Sequence, residues 1–122
     1  MWGVMYVNEG GRGFFTDCTF HHNEGHGINA AAGGLIELRG GQTEVHHSGY
    51  SGVAADHNAI INIYIPSRSI TALVHDNRAR DLSTYDGGKI QSQLSSSSLE
   101  LTVIHEATPD GDSGVDFMYP HY

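Results

Sequence analysis

A short phrase recurs four times along the chain, and it sets what the chain can fold into. It reads Phe20-His21-His22-Asn23, Val45-His46-His47-Ser48, Val74-His75-Asp76-Asn77 and Ile104-His105-Glu106-Ala107. The first histidines lie 25, 29 and 30 positions apart (21 to 46, 46 to 75, 75 to 105). Each copy sets an apolar residue before a histidine, then a second polar residue, then a small or amide residue suited to a turn. A period of this size belongs to stacked supersecondary units, each of which buries its apolar face only against its neighbours.

Aligning the cycles predicts three short strands in each. The first opens on Gly or Ser-Gly and an aliphatic residue, in Gly3-Val4, Gly27-Ile28 and Gly52-Val53, with Asp81-Leu82 as a looser fourth copy. The second carries Phe15, Ile36, Ile61 and Ile90 in matching places. The third carries Cys18-Thr-Phe20, Thr43-Glu-Val45, Ala72-Leu-Val74 and Thr102-Val-Ile104. Alternation within each run, plain in Leu35-Ile36-Glu37-Leu38, is the strand period. Phe20, Val45, Val74 and Ile104 should then stack at about 4.8 Å per coil as one spine of a narrow core, with Phe15, Ile36, Ile61 and Ile90 as a second. No window holds the i, i+3, i+4, i+7 pattern that a helix needs. Pro66 falls just past a strand-like run, and Gly33-Gly34, Gly40-Gly41 and Gly87-Gly88 mark turns. The expected fold is therefore all-β, a single-stranded parallel solenoid of about four coils over residues 1–107. Residues 108–122 leave the repeat and form a tail, or a cap in which Phe117, Met118, Tyr119 and Tyr122 cover the last coil.

Composition agrees with this reading. The 16 glycines in 122 residues are too many for a helical bundle, and 39% hydrophobic content is too high for a disordered chain. A net charge of -8 with no basic stripe argues against nucleic acid and against an acidic membrane surface as partners. Nine histidines would neutralise most of that charge below about pH 6. The single Cys18 cannot form an intramolecular disulfide and fits a core column shared with small residues. No apolar run reaches the roughly 20 residues of a membrane-spanning helix. The chain opens directly inside a repeat, as expected of a piece of a longer protein.

The run Asp17-Cys18-Thr19-Phe20-His21-His22-Asn23, followed by Gly27-Ile28, resembles the repeat of pectate-lyase-like right-handed parallel β-helix proteins. That repeat reads Asn-Cys-x-Phe, two polar residues, Asn, then Gly-Ile. Within this class the chain resembles uncharacterised algal "right-handed β-helix region" proteins. The resemblance covers roughly residues 3–107 and implies a right-handed coil. It specifies architecture more than activity, because the fold hosts lyases, hydrolases, epimerases, tailspikes and adaptors.

Two sets of residues are candidates for chemistry. The aligned histidines, with an acidic neighbour in the later coils, give His46, His75, Asp76, His105 and Glu106 as metal-ligand candidates for an ion such as Zn²⁺. Their spacing opposes a tight site, because side chains on adjacent coils start about 4.8 Å apart and run parallel. The resemblance implies a second set. Polysaccharide lyases of this class use an Arg or Lys as base beside carboxylates that hold Ca²⁺, which here points to Arg78 and Arg80 with Asp76, Asp81 and Asp56. The plain alternative is that Asp76–Asp81 is a long, solvated turn that accounts for the 29-residue coil. No resident cofactor is expected beyond these two ions.

The favoured function is a non-catalytic module, a rigid structural spacer or a surface for protein or glycan. Tyr6, Tyr50, Tyr64, Tyr85 and His57 are the side chains that would stack on sugars. The alternative is a carbohydrate-active enzyme (lyase, hydrolase or epimerase) or a fragment of one. Open coil ends also offer unpaired strand edges for end-to-end or side-by-side self-association.

Overall fold

A computed structural model describes residues 5–107. Strand accounts for 50% of it and helix for 4%. The first coil consists of β1 (Met5–Val7), β2 (Arg12–Thr16) and β3 (Thr19–His21). The second repeats it as β4 (Ile28–Ala30), β5 (Leu35–Arg39) and β6 (Glu44–His46). The third holds β7 (Ser51–Asp56), β8 (Ile60–Tyr64), a four-residue helix α1 (Ile70–Leu73) and β9 (Val74–His75). A further partial coil follows as β10 (Arg80–Tyr85) and β11 (Lys89–Gln93), and the described chain ends in β12 (Leu101–Glu106).

Equivalent strands pair in parallel and form three sheets, ordered β1-β4-β7-β10, β12-β11-β8-β5-β2 and β3-β6-β9. The result is a β-solenoid of about three turns. Strands such as β5 and β8 bury alternate residues, while β7 buries Ser51 to Ala55 in a row, and every sheet contributes columns to one interior. Phe20, Val45 and Val74 face one another across β3, β6 and β9 and are almost fully buried. Ile36, Ile61 and Ile90 form a second column, and Ile28, Val53 and Leu82 a third. Burying one such side chain is worth about 1.5–3 kcal/mol, and no single coil can do it alone.

The small residue that opens each repeat has a steric cause. A Cβ on Gly27 would lie 2.7 Å from Val45 Cγ1 and 2.9 Å from the Gly52 carbonyl oxygen. One on Gly52 would lie 2.8 Å from Val74 Cγ1 and 2.4 Å from Asn77 Nδ2. At this corner the chain passes so close to the neighbouring coil that only glycine fits.

Four expectations need correction. Ile104 does not continue the first spine, because β12 turns back and pairs antiparallel with β11, setting His105 opposite Ile90. The reversal runs through the exposed Ser95–Ser98 turn, where Gln93 Nε2 donates to the carbonyls of Ser95 and Ser98. Phe15 does not stack on Ile36 either. Gly13 takes that place, and Phe15 pairs with Leu38 two positions on. Its ring folds back over Gly13, where a Cβ would lie 2.8 Å from Phe15 Cε2, and meets Phe20 edge-on at 5.8 Å.

The third correction concerns the third coil, whose extra length lies in 65–73 and not in the Asp76–Asp81 turn. Ten positions separate Ile36 from His46, and fourteen separate their register partners Ile61 and His75. The four additional residues make room for α1, which is capped by the Ser69 side chain accepting from the Ala72 N–H. Ala72 and Leu73, expected in a strand, therefore lie in a helix. Fourth, Met5 rather than Val4 pairs with Ile28. Gly3-Val4 and the tail 108–122 lie outside the described residues.

Candidate functional site: a groove on one sheet and a histidine ladder at a corner

The outer face of the β1-β4-β7-β10 sheet carries a groove. Register places Tyr6, Asn29, Ala54 and Ser83 in one outward row, and the next row pairs Asp56 with Tyr85. Ala54 and Ser83 are short, so the floor between the larger flanking side chains stays low. Tyr50, immediately before β7, stands at one end, 58% exposed and stacked on His26 with centroids 5.0 Å apart. Tyr85, at the far end of β10, is 47% exposed and meets the His57 ring edge-on at 5.9 Å. Asp56 and Arg80 also line the concavity, whose volume is about 450 Å³. That is within the range of small-ligand sites. Ser51 and Asp56, at the two ends of β7, are five strand rises or about 17 Å apart, which is long enough for an oligosaccharide.

Electrostatics differ between the two ends. His57 Nδ1 lies 3.1 Å from Asp56 and its Nε2 3.5 Å from Asp86. The hydrogen bond to Asp56 holds the imidazole pKa above its ordinary value. His26 is pushed the other way, chiefly by burial, while its Nδ1 accepts from the Ser51 N–H at 3.3 Å. The groove thus has a neutral aromatic stack at one end and a carboxylate–imidazole cluster at the other.

The histidines form a ladder at the corner after β3, β6 and β9. His21, His46 and His75 stack with centroids 5.3 and 5.4 Å apart and planes within 7°. A second column follows at His22, His47 and Asp76, all with left-handed backbone (φ 55, 54 and 55). Asp and His are among the few non-glycine types enriched in that region. His22 stacks on His47 at 5.0 Å. Behind the corner Asn23, Ser48 and Asn77 point inward and are buried. Asn77 accepts from the Ser48 N–H at 2.9 Å and donates to Asp81 Oδ1 at 2.9 Å.

His75 is gripped at both ring nitrogens. Nε2 lies 2.5 Å from Glu44 Oε2 and Nδ1 2.8 Å from Asp76 Oδ2. Two ionised carboxylate partners favour an N–H at each nitrogen, the imidazolium form of the ring. Burial pulls its pKa down, but the hydrogen bonds to Asp76 and Glu44 outweigh burial and leave it raised. The same contact with His75 lowers Glu44 and Asp76. His46, which lacks such a clamp, is lowered by burial first, and its imidazole neighbours add to this.

The candidates read from the sequence do not converge on one another. His105 leaves the column altogether. It is buried against β10, with Nδ1 2.9 Å from Thr84 Oγ1. Glu106 is exposed opposite Lys89. His46 and His75 are neighbours in a stack, but their ring planes run parallel, so their nitrogens do not aim at one point. Among the described residues no group of three or more His, Cys, Asp and Glu side chains is arranged to hold a metal ion. Asp81 is buried and bonded to Asn77, and burial raises its pKa. Asp76 is turned to His75, Arg78 is exposed on the turn, and Arg80 lines the groove. Tyr64 belongs to another sheet, where Arg39 lies 4.1 Å over its ring. The roles of Glu44 and Asn77 are not legible in the sequence, because their partners His75 and Ser48 lie one coil away.

No protein-family model, curated protein or solved structure matches the chain.

Proposed function

We propose that this chain is a non-catalytic, carbohydrate-binding β-solenoid module that takes an oligosaccharide along the outer groove of the β1-β4-β7-β10 sheet. The observation that carries this reading is the pair of exposed tyrosines, Tyr50 and Tyr85, facing across a floor of small side chains. Aromatic faces stack on the apolar C–H faces of a sugar ring, and Asp56 and Arg80 supply hydrogen-bond partners for its hydroxyls. Because the groove is formed by rigid paired strands, little ordering cost attends binding. The kinship with pectate-lyase-like β-helix proteins belongs to the same proposal and rests on the Asp17–Ile28 motif.

Calorimetric titration with a panel of neutral and acidic oligosaccharides tests this reading. Binding by at least one class is expected, weakened about tenfold (about 1.4 kcal/mol) by Tyr50→Ala and by Tyr85→Ala. The same reactions, followed by mass spectrometry, test for catalysis. Shortened or unsaturated products that vanish in Arg80→Ala would replace the binding module with an enzyme. An inert panel would contradict both.

A further inference from the structure

The histidine ladder holds a second arrangement that the sugar reading does not use, and it lies within each coil rather than between coils. In the first coil His21 and His22 flank the left-handed corner with rings at 89° and Nδ1 atoms 2.8 Å apart. In the second coil His46 and His47 repeat this at 85° and 2.7 Å. The third coil departs from it, because Asp76 replaces the second imidazole and both nitrogens of His75 are engaged by carboxylates.

A separation of 2.7–2.8 Å between two imidazole nitrogens has a second meaning besides a shared proton. Two ligands at about 2.0 Å from one metal ion and at right angles to each other are about 2.8 Å apart. A cis pair of nitrogens with water in the remaining positions suits a tetragonal ion, and Cu²⁺ heads the affinity order for such donors. Each pair offers two ligands, which agrees with the lack of any gathered group of three among the described residues.

We propose that the His21–His22 and His46–His47 pairs each form a bidentate site for a late first-row divalent metal ion, Cu²⁺ ahead of Zn²⁺, through their Nδ1 atoms. In the free neutral pair one Nδ1 carries a proton and donates it to the other. On binding, that proton moves through solvent to the Nε2 of the same ring. Both rings then ligate as neutral Nε2–H tautomers with no net proton release. Two divalent ions one coil apart, about 4.8 Å, repel each other. One ion therefore fills a pair first, and the second enters only at much higher concentration. The net charge of -8 favours the first ion.

The test titrates Cu²⁺ alone into the full chain near neutral pH, in a non-coordinating buffer, followed by calorimetry and electron paramagnetic resonance. One tightly held Cu²⁺ per chain is expected, with two imidazole nitrogens in its equatorial plane. The double variant His22→Asn/His47→Asn preserves a residue type that tolerates the left-handed corner and should weaken binding tenfold or more. His57→Asn alters a left-handed position outside the ladder and should leave binding unchanged. A double variant that binds like the parent, or a parent spectrum with fewer than two imidazole nitrogens, would overturn the proposal. Should the double variant misfold, ¹⁵N spectra of the parent with Zn²⁺ decide the matter. Shifts at the Nδ1 atoms of His21, His22, His46 or His47 support it, and shifts confined to other ring nitrogens contradict it.

Discussion

At the scale of single residues, ten polar or charged side chains are buried among the described residues, and Asp81 is the only carboxylic acid in that set. Its carboxyl is 2% exposed, and one oxygen accepts both from the Asn77 N–H at 3.2 Å and from Nδ2 of the same residue. The other oxygen is buried with no hydrogen-bond partner among the described residues. Burial raises the pKa, so the folded state binds a proton more readily than the unfolded chain does. Stability is then highest below the ordinary aspartate pKa of about 4, falls as pH rises toward the raised folded value, and is flat above it. Asp81→Asn keeps an acceptor for Asn77 without a charge. Its melting temperature should gain on the parent's as pH rises from acid to neutral, measured by circular dichroism at matched ionic strength. A difference independent of pH would show that the carboxyl ionises in the fold without cost.

The same scale shows which parts of the fold could be read from the sequence. Phe20, Val45 and Val74 carry their histidines in a strict phrase, and the register follows. Asn77 could be placed on a turn but not in a clamp, because Ser48 becomes its neighbour only when coils stack, and its contact with Asp81, four residues on, carries no periodic signal. The offset of Phe15 was hidden for a different reason. Its ring occupies space left by Gly13, and the lack of a side chain gives no periodic signal.

At the scale of elements, third-coil length and the final strand mark the limits of periodicity. The four extra residues of the third coil form α1, and Arg68 ties this insert to the coil before it. Its guanidinium donates to the carbonyls of Gly41 at 3.0 Å, Thr43 at 3.1 Å and Ala72 at 2.8 Å. Charge-assisted bonds of this kind are worth more than neutral ones, although partial exposure reduces that. Arg68→Ala should cost about 1–3 kcal/mol in urea unfolding. Hydrogen-exchange protection should drop first in 65–73 and spare the β1-β4-β7-β10 sheet. Uniform loss of protection would contradict an insert fastened at this one point. Strand β12 failed to follow the reading because its apolar-then-histidine phrase fits a coil as well as a hairpin. The exposed Ser95–Ser98 turn does not distinguish them, because four serines suit either connection. The antiparallel return has a consequence for self-association, since β12 covers the edge of β11 that a fifth parallel strand would otherwise occupy.

At the scale of the whole molecule, repetition turns single side chains into surfaces. One coil supplies one tyrosine or one imidazole pair, and stacking sets the tyrosines along the β1-β4-β7-β10 sheet and the imidazole pairs at the corner after β3 and β6. Ala54 and Ser83 keep the groove open between Tyr50 and Tyr85, and the ladder corner presents two imidazole pairs in succession. The exposed tyrosines and histidines are legible in the sequence as residue types. That Tyr50 and Tyr85 share a groove while Tyr64 lies on another sheet is not, because it depends on which strand faces which side. The decisive measurement is an amide chemical-shift titration with the oligosaccharide panel. Binding in the groove predicts shifts concentrated at Tyr50, Ser51, Ala54, Ser83 and Tyr85, with residues 35–39 of the neighbouring sheet unmoved. No shifts with any sugar, or shifts centred on another face, would contradict the groove as the binding surface.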